Sequence, residues 1–431
     1  MAKNANNKVS IWQSLHNAWK VQDIRKKLIY TFFMLILFRL VGVIPAPGVD
    51  YVRVKSAMSG SNLPLLDLVN MMTGSNFSNM TIMAMGITPY INSSIIMQLL
   101  TIAIPALERL SKSGPDGQKK IASITRYVTV VLAVIQAIGL VYSLGYIKSG
   151  WFNTVLVGVS MAAGTALAMW IGERITANGL GNGVSLLIFA GIISNLFNGF
   201  TSLIANAFSA TSLTPWLTLL AVLLFALVMI VVVTFVDMGV RRIQVQYAKR
   251  VTGRKMYGGQ SSILPLKVCS VGVMPLIFAY SFMAFPSTLI QLFGGSESGL
   301  GLWWSRYMNY YSPLYMIVTA LLIIAFTCFY TSISFQPDEM AKNIQQQGGV
   351  IPHVRPGKPT ADFLARTNNR LTLFAALFLA VLATLPNLFT VGLQTSVPFA
   401  ASSLLIAVSV VLETKRQLDD LLVSRNYDTL T

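Results

Sequence analysis

The sequence predicts an all-α integral membrane protein, with ten transmembrane helices in two inverted five-helix halves around a central pathway. Three observations carry that prediction. Of the 431 residues, 54% are hydrophobic and only 11% charged, against about a quarter charged in soluble domains. Ten apolar runs are long enough to cross a bilayer, near 28–45, 79–106, 127–147, 153–172, 184–206, 214–236, 268–292, 311–334, 371–392 and 396–413. With the N-terminus in the cytoplasm, 27 Lys and Arg fall inside and four outside (Arg53, Lys55, Lys148, Arg306), with Arg39 within a span. That asymmetry satisfies the positive-inside rule with both termini cytoplasmic. The net charge of +17 therefore reads as topology before it reads as nucleic-acid binding.

The run at 28–45 follows a basic lead (Lys20, Arg25, Lys26, Lys27) like that of a signal peptide. It is long for a signal core, carries Arg39 and ends in PAPGVDY without a small-x-small cleavage site, so it reads as a retained first span. Next comes an apolar stretch of the wrong length. Leu63–Thr73 in LPLLDLVNMMTGSNFSN has eleven residues, which as a helix reach about 16 Å, half a bilayer.

Five spans precede the 207–213 connection and five follow it. Because five is odd, the halves 1–206 and 214–413 sit with opposite orientations, as inverted repeats do, and 414–431 is a cytosolic tail. This is architecture by counting, since no residue-level repeat accompanies it.

Three spans carry polar or helix-loosening residues in or at the edge of the apolar run: GITPYINSS (86–94) with Gln98, GNGVS (181–185), and GVMP (272–275). In lipid such features face protein or a water-filled cavity; helix packing through small residues explains any one of them equally well. Ile87 and Ile91 are four apart, as are Val184 and Ile188, so each pair shares a helix face. An aliphatic constriction in a polar-mouthed cavity resists water by dewetting.

The loop 238–267 holds seven Lys or Arg and no Asp or Glu. Ile243, Val245 and Tyr247 alternate with polar residues, which predicts an extended hairpin turning near Thr252-Gly253. It is long enough to stand clear of the headgroups, and so to dock a partner, beyond what topology or anionic lipid requires. The 335–370 loop adds Arg355 in GGVIPHVRPGKPT. Cys269 and Cys328 read as small core residues, with no disulfide framework or metal cluster. There is no phosphate-binding loop, as Gly357-Lys358 is followed by Pro359; two histidines make no H-E-x-x-H site, and no G-x-S-x-G elbow occurs. No enzyme and no cofactor is expected, so work must come from outside.

GITPYINSSIIMQLL, GNGVSLLIFAGI, YAKRVTGRKMYGGQSSILPLK with GVMP, and GGVIPHVRPGKPT together resemble the bacterial SecY family, the channel subunit of the general protein translocase, over roughly residues 20–425. The resemblance implies an hourglass channel around a central pore, with a lateral gate between spans two and three and spans seven and eight, where Gln98 lies. It implies a pore ring of Ile87, Ile91, Val184, Ile188, Ile277 and Ile406. The half-length stretch then matches a plug, about residues 62–76 with Leu65, Leu66, Val69, Asn70 and Met71, folded against the outer side of the ring. Arg254 and Lys255 match a basic tip that contacts the ribosome or the motor ATPase, and Arg355 an arginine used in motor-driven export. Implied partners are SecE-like and SecG-like subunits, the SecA motor, signal sequences with unfolded preproteins, and membrane lipid; the implied location is the bacterial plasma membrane. Two stretches depart from the family pattern: Gln345–Gln347 stand where basic residues are common, and LSKSGPDGQKK carries less charge than expected.

A secondary transporter of a small solute also suits inverted halves and broken spans. Transporters bury an ionisable residue at mid-membrane, and here Arg39 is the one obvious deep charge, which favours the channel. An intramembrane protease lacks its nucleophile or metal motif.

Overall fold

The computed structural model describes residues 19–49, 76, 79–143, 151–209, 214–247, 250–252, 255–257, 261–270, 272, 274–293, 299–308, 312–393 and 401–428. Its helices are α1 (Gln22–Val41), α2 (Thr88–Ala103), α3 (Pro105–Lys112), α4 (Pro115–Ser143), α5 (Trp151–Asn178), α6 (Gly183–Ser209) and α7 (Thr214–Asp237), then α8 (Met274–Phe293), α9 (Gly299–Tyr307), α10 (Pro313–Ser334), α11 (Pro337–Gln346), α12 (Lys358–Leu393) and α13 (Ala401–Asp428). Strands β1 (Val240–Tyr247), β2 (Arg250–Thr252), β3 (Lys255–Tyr257) and β4 (Ser261–Lys267) lie between α7 and α8, and β5 (Gly349–Val350) follows α11. Each of the ten expected runs carries a helix. Among the described residues six helices are long and apolar enough to cross a membrane, and the bent pair α2–α3 makes a seventh candidate.

Several helices overrun their apolar runs: α4 begins at Pro115 and α12 at Lys358, ahead of 127 and 371, and α13 continues to Asp428, past 413. In two runs the helix begins well inside the run. The second was expected from residue 79, but the helix starts only at Thr88: Met80 and Gly86 adopt positive φ (43° and 52°) and Pro89 stands in the first turn. It stops at Ile104, extended before Pro105, and α3 turns away by 102°, because the residue before a proline is driven out of the helical region. The seventh run was expected from residue 268. Its helix starts at Met274, after Gly272 at φ 63°, so GVMP is a helix start and not a break within a span.

The chain divides into two compact units, one drawn from Met1–Leu219, Ser281–Tyr310 and Ile406–Thr431, the other from Leu220–Tyr280 and Tyr311–Leu405. In the first, α4 and α5 pack as an antiparallel pair through Gly158, where a Cβ would run into Ile138; small residues let membrane helices approach this way. Arg126 Nε bonds Glu173 Oε1 at 2.7 Å across the same pair. Ser93 of α2 is fully buried and donates to the Thr125 carbonyl at 2.9 Å while accepting from Thr129 Oγ1 at 2.9 Å. Part of the polar character of GITPYINSS is therefore packing between α2 and α4.

In the second unit the sheet order is β4-β1-β5, with β1 and β4 antiparallel from Val240↔Lys267 to Gln246↔Ser261. β2 and β3 continue the hairpin, Thr252 opposite Lys255, around the expected turn. Ile243, Val245 and Leu266 bury one face of the sheet against Ile344, Ile351 and Leu364, so the 238–267 and 335–370 loops share one apolar core. On α7, Val222, Ala226, Met229 and Val233 form one buried stripe while Leu220, Leu223, Leu224, Leu227 and Val231 are exposed, the pattern of a helix whose remaining surface meets lipid. Cys328, expected in the core, is exposed on α10, and Cys269 is partly buried.

Candidate functional site

The turn between α5 and α6 is built by GNGVS. Gly181 takes φ 86°, and Asn182 caps α6, its Oδ1 accepting from Val184 N at 3.1 Å and Ser185 N at 3.3 Å. An asparagine that satisfies the free amides of the first turn fixes where a helix begins. The α5 end is held in turn by α1: Thr31 Oγ1 accepts from Leu180 N at 2.9 Å, and Ile24, Leu180 and Leu418 form a small apolar cluster. This frame sets Val184 in the first turn of α6 and Ile188 one turn on. Val184 is half-buried, with Cγ2 beside Gly172, and Ile188 is 2% exposed.

The other aliphatic pair stands on a comparable device. Residues 79–87 run back against the end of α1 through Ala46 N to Met80 O (3.0 Å) and Ile82 N to Ile44 O (2.9 Å), and the Ile82 carbonyl presses on Gly164 of α5, where a Cβ would collide with it. Ile87 ends this segment at the N-cap of α2, and Ile91 follows one turn later; both are buried. Ile406, in the second turn of α13, is also buried. Ile277 lies in the first turn of α8, in the second unit, and is 5% exposed. Thus the structure places Ile87 with Ile91, and Val184 with Ile188, on shared helix faces, and buries five of the six expected ring residues.

Gln98 is exposed on α2 beside exposed Leu99 and Leu100. Arg355 is exposed, while its carbonyl is pinned by Thr360 Oγ1 at 2.8 Å in a loop with His353 and Gly357 at positive φ. Lys255 opens β3 opposite Thr252. Arg254 lies outside the described residues, as do the expected plug residues Leu65, Leu66, Val69, Asn70 and Met71. Asn76, at the end of that stretch, is buried, and its carbonyl accepts from Thr81 N at 3.1 Å. Among the described residues no group of three or more His, Cys, Asp or Glu is placed to hold a metal ion. The residues missed from sequence include Thr31 and Thr129, whose partners Leu180 and Ser93 lie 149 and 36 residues away along the chain. Asn182 could have been found, since Asn just before an apolar periodic run is a helix-start signal.

The model of one known family, SecY, matches residues 81–415, the stretch that holds both aliphatic pairs and the basic hairpin. The chain belongs to the SecY family. A SecY translocase subunit from Streptomyces scabiei is 41% identical, covering 95% of this chain and 98% of that one, and that of Halalkalibacterium halodurans is 39% identical, covering 97% and 99%. Solved structures share the fold at lower identity. A protein-conducting channel is 20% identical with a TM-score of 0.68, covering 92% of each chain, and Sec61 of a canine ribosome-channel complex is 17% identical with a TM-score of 0.63 and the same coverage. SecY membership makes the chain a multi-pass membrane protein of the protein-conducting channel class. The SecY relatives named here give the small-solute transporter reading no support.

Proposed function

We propose that this chain is the pore-forming subunit of a bacterial plasma-membrane translocase. It passes unfolded secretory proteins across the membrane and releases transmembrane segments sideways into lipid. The chain crosses ten times with both termini in the cytoplasm. Ile87, Ile91, Val184, Ile188, Ile277 and Ile406 form its waist. Residues about 62–76 plug it from outside, and the gate past Gln98 opens toward lipid. The carrying observation is that a chain of this family keeps five of those six aliphatic residues buried, four of them at the starts of helices that begin beside Pro89, Asn182 and Gly272. Apolar side chains around a narrow opening exclude water without a covalent lid and yield to a chain that displaces them.

The chain does no chemistry on its substrate, and the energy comes from a SecA-type motor or from the ribosome, docked on Arg254, Lys255 and Arg355. The shared core of the two loops supports this reading, because it holds the hairpin and the Arg355 loop as one body. SecE-like and SecG-like subunits complete the complex. The test is reconstitution with the motor and a SecE-like subunit. Protease-protected secretory precursor is the expected result; accumulation of a small solute without precursor transport would overturn it.

A further inference from the structure

We propose that Tyr330 is a positioning residue for Ile277: its ring, stacked on Phe278, sets the rotation of α8 about its own axis and so fixes where Ile277 points. The two ring centroids lie 4.6 Å apart with their planes 12° from parallel. Phe329 meets the edge of Tyr330 at 5.6 Å, and Phe326, one turn earlier on α10, lies 6.4 Å from both Tyr330 and Phe278. Four rings therefore join the first turns of α8 to the last turns of α10, with geometry that adds to simple area burial.

Consecutive helix residues are about 100° apart. With Phe278 held against α10, Ile277 is turned about 100° from that contact around α8, and it is 5% exposed. A rotation of about 30° would carry its side-chain tip roughly 3 Å sideways at helix dimensions, enough to open an aliphatic seal. Gly272, ahead of α8, has φ 63° and nothing within 4 Å of the place its Cβ would occupy. Leu276, Ala279, Tyr280 and Met283 of α8 are buried as well, so the stack adds a directional contact to packing that already surrounds the helix.

The inference rests on the proposed ring, and the experiment separates the two. The channel is reconstituted with its motor and SecE-like subunit, and two quantities are read: protease-protected import of a precursor with a defective signal sequence, and vesicle ion conductance. Tyr330→Leu is expected to raise both roughly two- to tenfold, the equilibrium factor an aromatic pair is worth. Tyr330→Phe, which keeps the ring, should stay at the parental level, and Tyr330→Leu should add nothing in an Ile277→Ala background. Parental selectivity in Tyr330→Leu, a leak in Tyr330→Phe, or additivity with Ile277→Ala would overturn the inference. Phe278→Leu removes the same stack from the other side and replaces Tyr330→Leu should that variant fail to assemble. If Ile277→Asn leaks and Tyr330→Leu does not, the stack has no positioning role and the ring stands. If Ile277→Asn itself does not leak, the ring falls and this inference with it.

Discussion

Gly183 approaches Gly172 so closely that a Cβ on Gly183 would run into the backbone carbonyl of Gly172. The reverse is not true. A Cβ on Gly172 would meet Leu187 Cδ1 at 3.4 Å and Val184 Cγ2 and N at 3.5 Å, all ordinary van der Waals contacts. Gly183→Ala should therefore cost about 1–3 kcal/mol, the usual cost of overpacking, whereas Gly172→Ala should be close to neutral. The thermal midpoint of the purified channel checks the difference. Because Val184 follows Gly183 directly and Ile188 stands one turn beyond Val184, a displaced α6 should also raise ion conductance in Gly183→Ala.

The buried isoleucines make a sharper functional test. Asparagine at Ile188, 2% exposed, would bring an amide into an apolar site, where an unpartnered one costs about 1–3 kcal/mol by protein mutational data. Water entering the site relieves that cost. Ile188→Asn, Ile87→Asn and Ile406→Asn should each raise conductance and admit poor signal sequences, while Ile193→Ala, at a position 45% exposed on the same helix, should do neither. Unchanged selectivity in all three asparagine variants would remove the proposed waist.

Helix placement was legible because a bilayer demands long apolar runs: the run 214–236 became Thr214–Asp237, and 311–334 became Pro313–Ser334. The hairpin was legible for a similar reason, since the alternation of Ile243, Val245 and Tyr247 is a local pattern. Partners distant in sequence were not. Ser93 reads as a polar intruder until Thr125 and Thr129, 32 and 36 residues on, are seen beside it. The strand Gly349–Val350 is too short and too glycine-rich to announce itself, and its partner β1 lies about a hundred residues earlier. The late start of α2 was readable after all, since Gly86 and Pro89 are both turn signals.

The hairpin tip gives an electrostatic prediction. Arg254→Glu with Lys255→Glu places two negative charges a few residues from the basic Lys249 and Arg250. If an anionic partner docks there, losing two exposed pairs of up to about 1 kcal/mol each and adding repulsion should weaken binding roughly tenfold or more. The loss should shrink as salt is raised, because exposed charges are screened. Co-sedimentation with the motor or the ribosome at two ionic strengths measures it, and an unchanged thermal midpoint shows that the fold is intact. Binding that survives the reversal would leave the loop as a topology signal alone.

A partner should also feel a residue that carries no charge. Gly349 pairs with Tyr247, and a Cβ placed on it would lie 2.9 Å from Val245 Cγ1, 3.0 Å from Ile344 Cγ2 and 3.0 Å from Tyr247 Cε1. Any larger side chain pries β5 from β1 and opens the core that joins the hairpin to the Arg355 loop. Gly349→Val should therefore weaken motor binding while leaving Arg254, Lys255 and Arg355 unaltered, and a limited protease should cut the 335–370 loop faster. Gly348→Ala is the internal comparison. It sits at φ 71° with nothing within 4 Å of its Cβ position, so it strains the backbone without touching the shared core. If Gly349→Val binds the motor as well as the parent does, the two loops work independently, and the shared core serves folding alone.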